Sequence, residues 1–145
     1  MMNVVLTGHG EFSIGLKNAL EMIAGEQTAF EAVPFLDGEA TDVFEQKLRD
    51  TIADLKKDNE SVVVLADLVG GTPYKTAVTI LHEDQHARVV GGVNLAMLLE
   101  LLMMRLAADD VDALVNQVIN SGKDAIAAFE TPVPTEEEDD AFDGI

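Results

Sequence analysis

The stretch Ser61-Val62-Val63-Val64-Leu65-Ala66-Asp67-Leu68-Val69-Gly70-Gly71-Thr72-Pro73 decides the architecture of the chain. Its first six residues form an apolar, β-branched run, the composition of a strand buried on both faces in a parallel sheet. An aspartate follows directly, then a double glycine. Thr72 reads as a helix cap with Pro73 at the first helical position, a strong start signal. The stretch therefore predicts strand, loop and helix, the helix running to about Leu81. Upstream, Val4-Val5-Leu6 is a shorter run of the same kind that ends in Gly8-His9-Gly10. Ile14, Leu16, Leu20, Met22 and Ile23 recur at helical spacing from Ser13 and stop at Gly25. Phe30 to Val33 is a second strand, closed by Pro34 and Asp37-Gly38. Thr41 or Asp42 caps a helix through Phe44, Leu48, Ile52 and Leu55 to Lys57. Downstream, Arg88-Val89-Val90 is a fourth strand, and Asn94 caps a helix from Leu95 to Leu106. A last helix runs from about Asp110 to Ile119 and ends near Gly122. Ala125 to Phe129 reads either as a final helical turn or as an edge strand. Strands alternating with helices imply α/β architecture with an open, mainly parallel sheet.

The chain has 145 residues, 48% of them apolar, which suits one domain with a sizeable core. No internal repeat and no linker to a second domain is visible. The folded domain is expected over residues 1–131. The tail, 132–145, contains the acidic run Glu136-Glu137-Glu138-Asp139-Asp140 and is expected to be disordered. The net charge of -18 argues against nucleic acid and anionic lipid as partners and favours basic protein surfaces. The absence of cysteine excludes disulfide and thiolate chemistry and suits a cytosolic protein. No signal peptide is expected, and no apolar run approaches the ~18 residues of a membrane span.

In an open α/β sheet, ligands collect beyond the carboxyl ends of the strands. Those ends carry Gly8-His9-Gly10, Pro34 to Asp37, Asp67 to Thr72 and Gly91 to Asn94. First and third strands are often neighbours, so His9 and Asp67 are candidates for contact. An aspartate that accepts from Nδ1–H fixes the histidine tautomer and leaves Nε2 unprotonated and nucleophilic. The alternative is a His–Asp pair that only orders a loop. Gly70-Gly71-Thr72 opens a helix whose free N–H groups and dipole favour an anion, or it is a simple tight turn. Gly8-His9-Gly10 is not a dinucleotide fingerprint, and no GxxxxGK[ST] occurs. His82-Glu83-Asp84-Gln85-His86 matches HExxH, but the helix runs out at the motif, so both rings cannot share one face; we expect no metal site there. The helix around Met97 to Met104 is apolar nearly all round, which means cover by its own sheet or by a second copy.

Three segments carry a family resemblance: "VVLTGHGEFSIGL" (4–16), "VVVLADLVGGTPYKTA" (62–77) and "VVGGVNLAMLLELLM" (89–103). Together they resemble the IIA component of the mannose-type (mannose/fructose/sorbose) sugar phosphotransferase system of bacteria, over about residues 2–130. The resemblance implies a cytoplasmic phosphocarrier that takes a phosphoryl group from HPr onto His9 and passes it to the IIB component. IIB serves the membrane IIC/IID components. It implies that Asp67 hydrogen-bonds His9 and that Thr72 lies near the phosphoryl group; we expect Thr72 and backbone N–H groups near Gly10 and Gly71 to hold the phosphoryl oxygens. No cofactor and no metal are implied. The implied sheet order is 2-1-3-4 with helices on both faces, in a homodimer that exchanges an antiparallel edge strand, for which Ala125 to Thr131 is the candidate. A free-standing IIA protein is expected. The phosphotransfer subunit of dihydroxyacetone kinase also has a histidine after its first strand but lacks the GGTP pattern. A small α/β ligand-binding module is the alternative from another class. Nothing in the chain specifies the transported sugar.

Overall fold

The computed structural model describes residues 1–134. The acidic tail expected to be disordered lies, from residue 135 on, outside the described residues. Four strands, β1 (Asn3–His9), β2 (Phe30–Phe35), β3 (Val62–Ala66) and β4 (Ala87–Gly91), form one sheet in the order β2-β1-β3-β4. All three pairings are parallel, with Val5 level with Glu31 on one side and Val64 on the other. The central strands β1 and β3 are closed to solvent apart from His9, as their unbroken apolar runs require.

Helices α1 (Phe12–Ala24), α4 (Leu95–Met104) and α5 (Val111–Asp124) cover one face, while α2 (Thr41–Leu55) and α3 (Thr72–Leu81) cover the other. Val4, Leu6, Val63 and Leu65 point to the three-helix side, and Val5, Val62 and Val64 to the two-helix side, the alternation that the strand period of two dictates. None of the described helices is long and apolar enough to cross a membrane.

Several boundaries differ from the sequence reading. β1 continues through Thr7 and Gly8, so His9 ends a strand instead of starting a loop. β2 continues through Pro34 to Phe35. Proline is tolerated because β2 is an edge strand: Pro34 turns its carbonyl outward to Lys47 Nζ at 3.2 Å, and its missing N–H falls on that same open side. Ala40, not Thr41 or Asp42, is the N-cap of α2, and Gly71, not Thr72, is the N-cap of α3. Asn94 caps α4 as expected, accepting from the Met97 N–H at 3.0 Å. α4 stops at Met104, short of Leu106, and Met97, Leu98, Leu101 and Leu102 are buried within the chain's own core.

α5 runs past Ile119 and through Gly122 to Asp124. Gly122 does not end the helix but lets α5 approach α4, since a Cβ there would lie 2.2 Å from Met97 Cγ. Asn94 spans the same contact by donating to the Gly122 carbonyl at 2.9 Å. Ala125 is the C-cap of α5, and residues 126–134 are exposed and form no strand within the single chain.

Candidate functional site at the switch point of the sheet

The chain leaves β1 for β2 on one side of the sheet, and β3 lies on the other side of β1. The carboxyl ends of β1 and β3 therefore form the switch point, where connections diverge and leave a crevice. His9 is the last residue of β1 and Asp67 the first after β3. His9 Nδ1 lies 2.7 Å from Asp67 Oδ2, and the His9 backbone N–H donates to the same oxygen at 2.9 Å. Asp67 Oδ1 accepts from the Leu68 N–H at 2.9 Å. Each carboxylate oxygen accepts a backbone N–H, and with the carboxyl ionised, Oδ2 also accepts from the ring, which puts the ring proton on Nδ1. Burial pushes the Asp67 carboxyl up, but bonds from the His9 N–H, the His9 ring and the Leu68 N–H outweigh it and hold the group below the usual aspartate range. The His9 side chain is 49% exposed against 10% for Asp67, so the pair has a buried anchor and an outward ring. Nε2 makes no hydrogen bond among the described residues.

Two glycines shape this pair. A Cβ at Gly8 would sit 3.1 Å from both Cβ and Cγ of Asp67 and 2.8 Å from Phe12 Cδ1. Gly8 is therefore the space into which Asp67 folds back towards β1. A Cβ at Gly71 would lie 2.9 Å from His9 Cε1, the carbon between the two ring nitrogens. The start of α3 thus lies directly against the imidazole. Gly10 has φ +58, and its N–H donates to the Phe35 carbonyl at 2.8 Å. That donor, expected to face a phosphoryl group, is already used to close the turn after β1. The N–H groups without intrahelical partners are those of the first turns of α1 and α3. Thr72 occupies the first turn of α3, makes no cap hydrogen bond, and lines a hollow between α2 and α3 together with Thr41, Glu45 and Lys75.

The two helices that start beside His9 differ from the others in their first turns. α2 carries Asp42 there, α5 carries Asp112 and is capped by the Asp110 carboxylate, and α4 is capped by Asn94. α1 and α3 have no acidic residue in the first turn and no side-chain cap, although the N-cap residue of α1 is Glu11 and that of α3 is Gly71. In a chain of net charge -18, the start of α3 thus brings a helix dipole end without a carboxylate of its own to the His9 ring. Around the ring, Phe12, Leu36, Leu68 and Val69 expose apolar surface from the segments that follow β1, β2 and β3.

The HExxH-like segment has a different setting. α3 ends at Leu81, and His82 Nδ1 faces the Val78 and Thr79 carbonyls at 3.3 and 3.1 Å. His86 Nε2 lies 3.2 Å from Glu60. The two rings are thus drawn to different neighbours. Sequence reasoning missed Phe35. Its ring lies 5.9 Å from that of His9 at an interplanar angle of 66°. The signal was hidden because Pro34 read as the end of β2.

The family model EIIA-man, described as "PTS system fructose IIA component", matches residues 3–119. The "PTS system fructose-specific EIIA component" of Bacillus subtilis (strain 168) is 41% identical over 72% of this chain and 71% of its own length. The "PTS system mannose-specific EIIAB component" of Escherichia coli (strain K12) is 31% identical over 87% of this chain, which spans only 39% of that protein. Among solved structures, the mannose/sorbose-specific IIA subunit from Enterococcus faecalis superposes with a TM-score of 0.79 at 29% identity, covering 92% of this chain and 98% of that one. The EIIA component from Streptococcus agalactiae gives a TM-score of 0.77 at 31% identity, covering 88% and 97%.

Proposed function

The chain belongs to the mannose family of phosphotransferase-system IIA components, and from that premise we propose that it is a phosphocarrier with His9 as its acceptor. The supporting observation is the 2.7 Å contact between His9 Nδ1 and Asp67, which leaves Nε2 outward and unprotonated. Phospho-HPr is the donor. The Nε2 lone pair attacks phosphorus in line, the P–N bond to the donor histidine breaks, and its electron pair returns to that ring. His9 becomes a cationic phosphoimidazole whose Nδ1–H stays on the Asp67 carboxylate. Transfer to IIB reverses these steps, and IIB serves the membrane IIC/IID components.

Phosphoryl transfer needs positioning and charge stabilisation more than covalent help from the protein. The first-turn N–H groups of α1 and α3, including that of Gly71, and the Thr72 hydroxyl are the donors assigned to the equatorial oxygens. The start of α3, with Gly71 as N-cap and no acidic residue in its first turn, offsets the global negative charge at that point. The exposed apolar ring of Phe12, Leu36, Leu68 and Val69 suits docking of protein partners. The scheme places the protein in the cytoplasm, where donor and acceptor are found.

Incubation with phosphoenolpyruvate, enzyme I and HPr should add one acid-labile phosphoryl group to the intact mass, and His9→Ala should abolish the gain. Phosphorylation of the His9→Ala protein would falsify the assignment. A homodimer that exchanges residues 125–131 is part of the same reading. It accounts for the exposed Ile126 and Phe129 and for the open edge of β4. Sedimentation of the full chain and of a chain ending at Asp124 should give dimer and monomer respectively; identical mass for both would remove the exchange.

A further inference from the structure

We infer that Phe35 is a positioning residue for the His9 imidazole, an inference that rests on His9 being the phosphoryl acceptor. Phe35 is level with His9 in the pairing of β1 with β2, so the two side chains leave the sheet on the same face, side by side. Their rings meet at a centroid distance of 5.9 Å and an angle of 66°, the tilted edge arrangement that aromatic quadrupoles favour. Behind Phe35 stands Phe44 of α2, fully buried, at 5.0 Å and 49°. The series Phe44, Phe35, His9 thus runs from the core under α2 to the reactive ring.

Asp67 alone cannot hold that ring. One hydrogen bond to Nδ1 sets the distance and the tautomer but allows the imidazole to swing about the bond. Gly71 blocks the swing at Cε1, where its own Cα leaves no room for a Cβ. Phe35 supplies an aromatic neighbour from the β2 side. The Phe35 carbonyl also closes the turn at the end of β1 by accepting from the Gly10 N–H at 2.8 Å, so the same residue fixes both the backbone and the ring of the acceptor. With the ring held by Asp67, Gly71 and Phe35, the Nε2 lone pair keeps one direction, and in-line attack depends on that direction.

Phe35→Leu keeps apolar bulk against Phe44 but removes the aromatic neighbour, while Phe35→Tyr keeps it. The first readout needs no partner: 13C relaxation of the His9 ring reports how far the imidazole swings about its bond to Asp67. Phe35→Tyr should keep the parental ring order parameter, and Phe35→Leu should lower it, while the 15N shifts of both still show the Nδ1–H tautomer that Asp67 fixes. The second readout is the rate of His9 phosphorylation by phospho-HPr, expected to fall about tenfold in Phe35→Leu and to stay within about twofold in Phe35→Tyr. If Phe35→Leu does not fold, Phe35→Met is measured in its place. A folded Leu or Met variant with a parental His9 ring order parameter overturns the inference even if its rate is low, because Phe35 would then act on docking. An unphosphorylated parent would instead reject the phosphocarrier reading, and the ring relaxation would still decide the role of Phe35.

Discussion

Asp67 couples the residue scale to pH. Its carboxyl is held below the ordinary aspartate range in the fold, so it binds a proton less readily folded than unfolded. The stability it contributes is fully present above its unfolded pKa of about 4 and is lost as pH falls through the depressed folded value. Thermal unfolding of the parent and Asp67→Asn should therefore differ at pH 6 and converge as the pH falls below about 4; a gap independent of pH would show that the carboxylate charge is not what stabilises. The same variant should be phosphorylated about 10²-fold or more slowly, since an amide that offers N–H to Nδ1 drives the proton to Nε2 and blanks the nucleophile. The contact of His9 with Asp67 was legible in the sequence, because each stands within three residues of the end of an apolar, strand-like run. The work of Gly8 was not legible. Only the neighbouring position of β3 reveals that it makes room for Asp67.

At the scale of elements, the α4–α5 contact turns on one missing methyl. Alanine at Gly122 gains about 1 kcal/mol of helix propensity but overpacks against the buried Met97 at a cost of about 1–3 kcal/mol. Gly122→Ala should thus lower stability by about 1 kcal/mol in the parent, and raise it in a Met97→Ala background where the obstacle is gone. Urea unfolding of the four proteins in that cycle reads the sign directly; the same sign in both backgrounds would mean that Met97 simply moves aside. The helical period showed that α4 and α5 exist, but the glycine inside α5 read as its end. A glycine at a helix stop and a glycine at a helix crossing look alike until the neighbouring helix is in place. Thr72 is a similar case. The Thr-Pro pair marked the start of α3 to within one residue, and with Gly71 as the N-cap the threonine hydroxyl is not spent on capping.

Across the whole molecule, Arg105 ties the far end of the sheet together. It follows α4, is 2% exposed, and has no carboxylate partner among the described residues. Its guanidinium donates instead to the carbonyls of Met2 and Ala29 at 3.1 and 3.0 Å and of Thr28 at 2.5 Å. These acceptors belong to the segments that enter β1 and β2, so one side chain links α4 to two strands more than seventy residues away in sequence. Burial pushes the guanidinium pKa down, and these bonds offset the desolvation behind that shift. Arg105→Met should cost about 2 kcal/mol, because the buried Met2 carbonyl loses a charge-assisted donor. Denaturant unfolding checks this, and a parental midpoint would mean that desolvation cancels the bonds. Nothing local in the sequence marked Arg105, which looked like an ordinary basic residue at the end of a helix.

Local sequence determined the alternation of strands and helices, the parallel sheet, and the two residues at the strand ends that pair, because periodicity, glycine and an abrupt polar residue after an apolar run act within a few positions. The family motifs added the sheet order. Tertiary structure alone decided that β2 lies at an edge and so carries Pro34 on to Phe35, that Gly8 and Gly71 are the walls of the His9–Asp67 pair, and that the Gly10 N–H is already bonded. Each of these depends on what another strand or helix brings alongside. That is a property of non-local pairing, which no short stretch of chain contains.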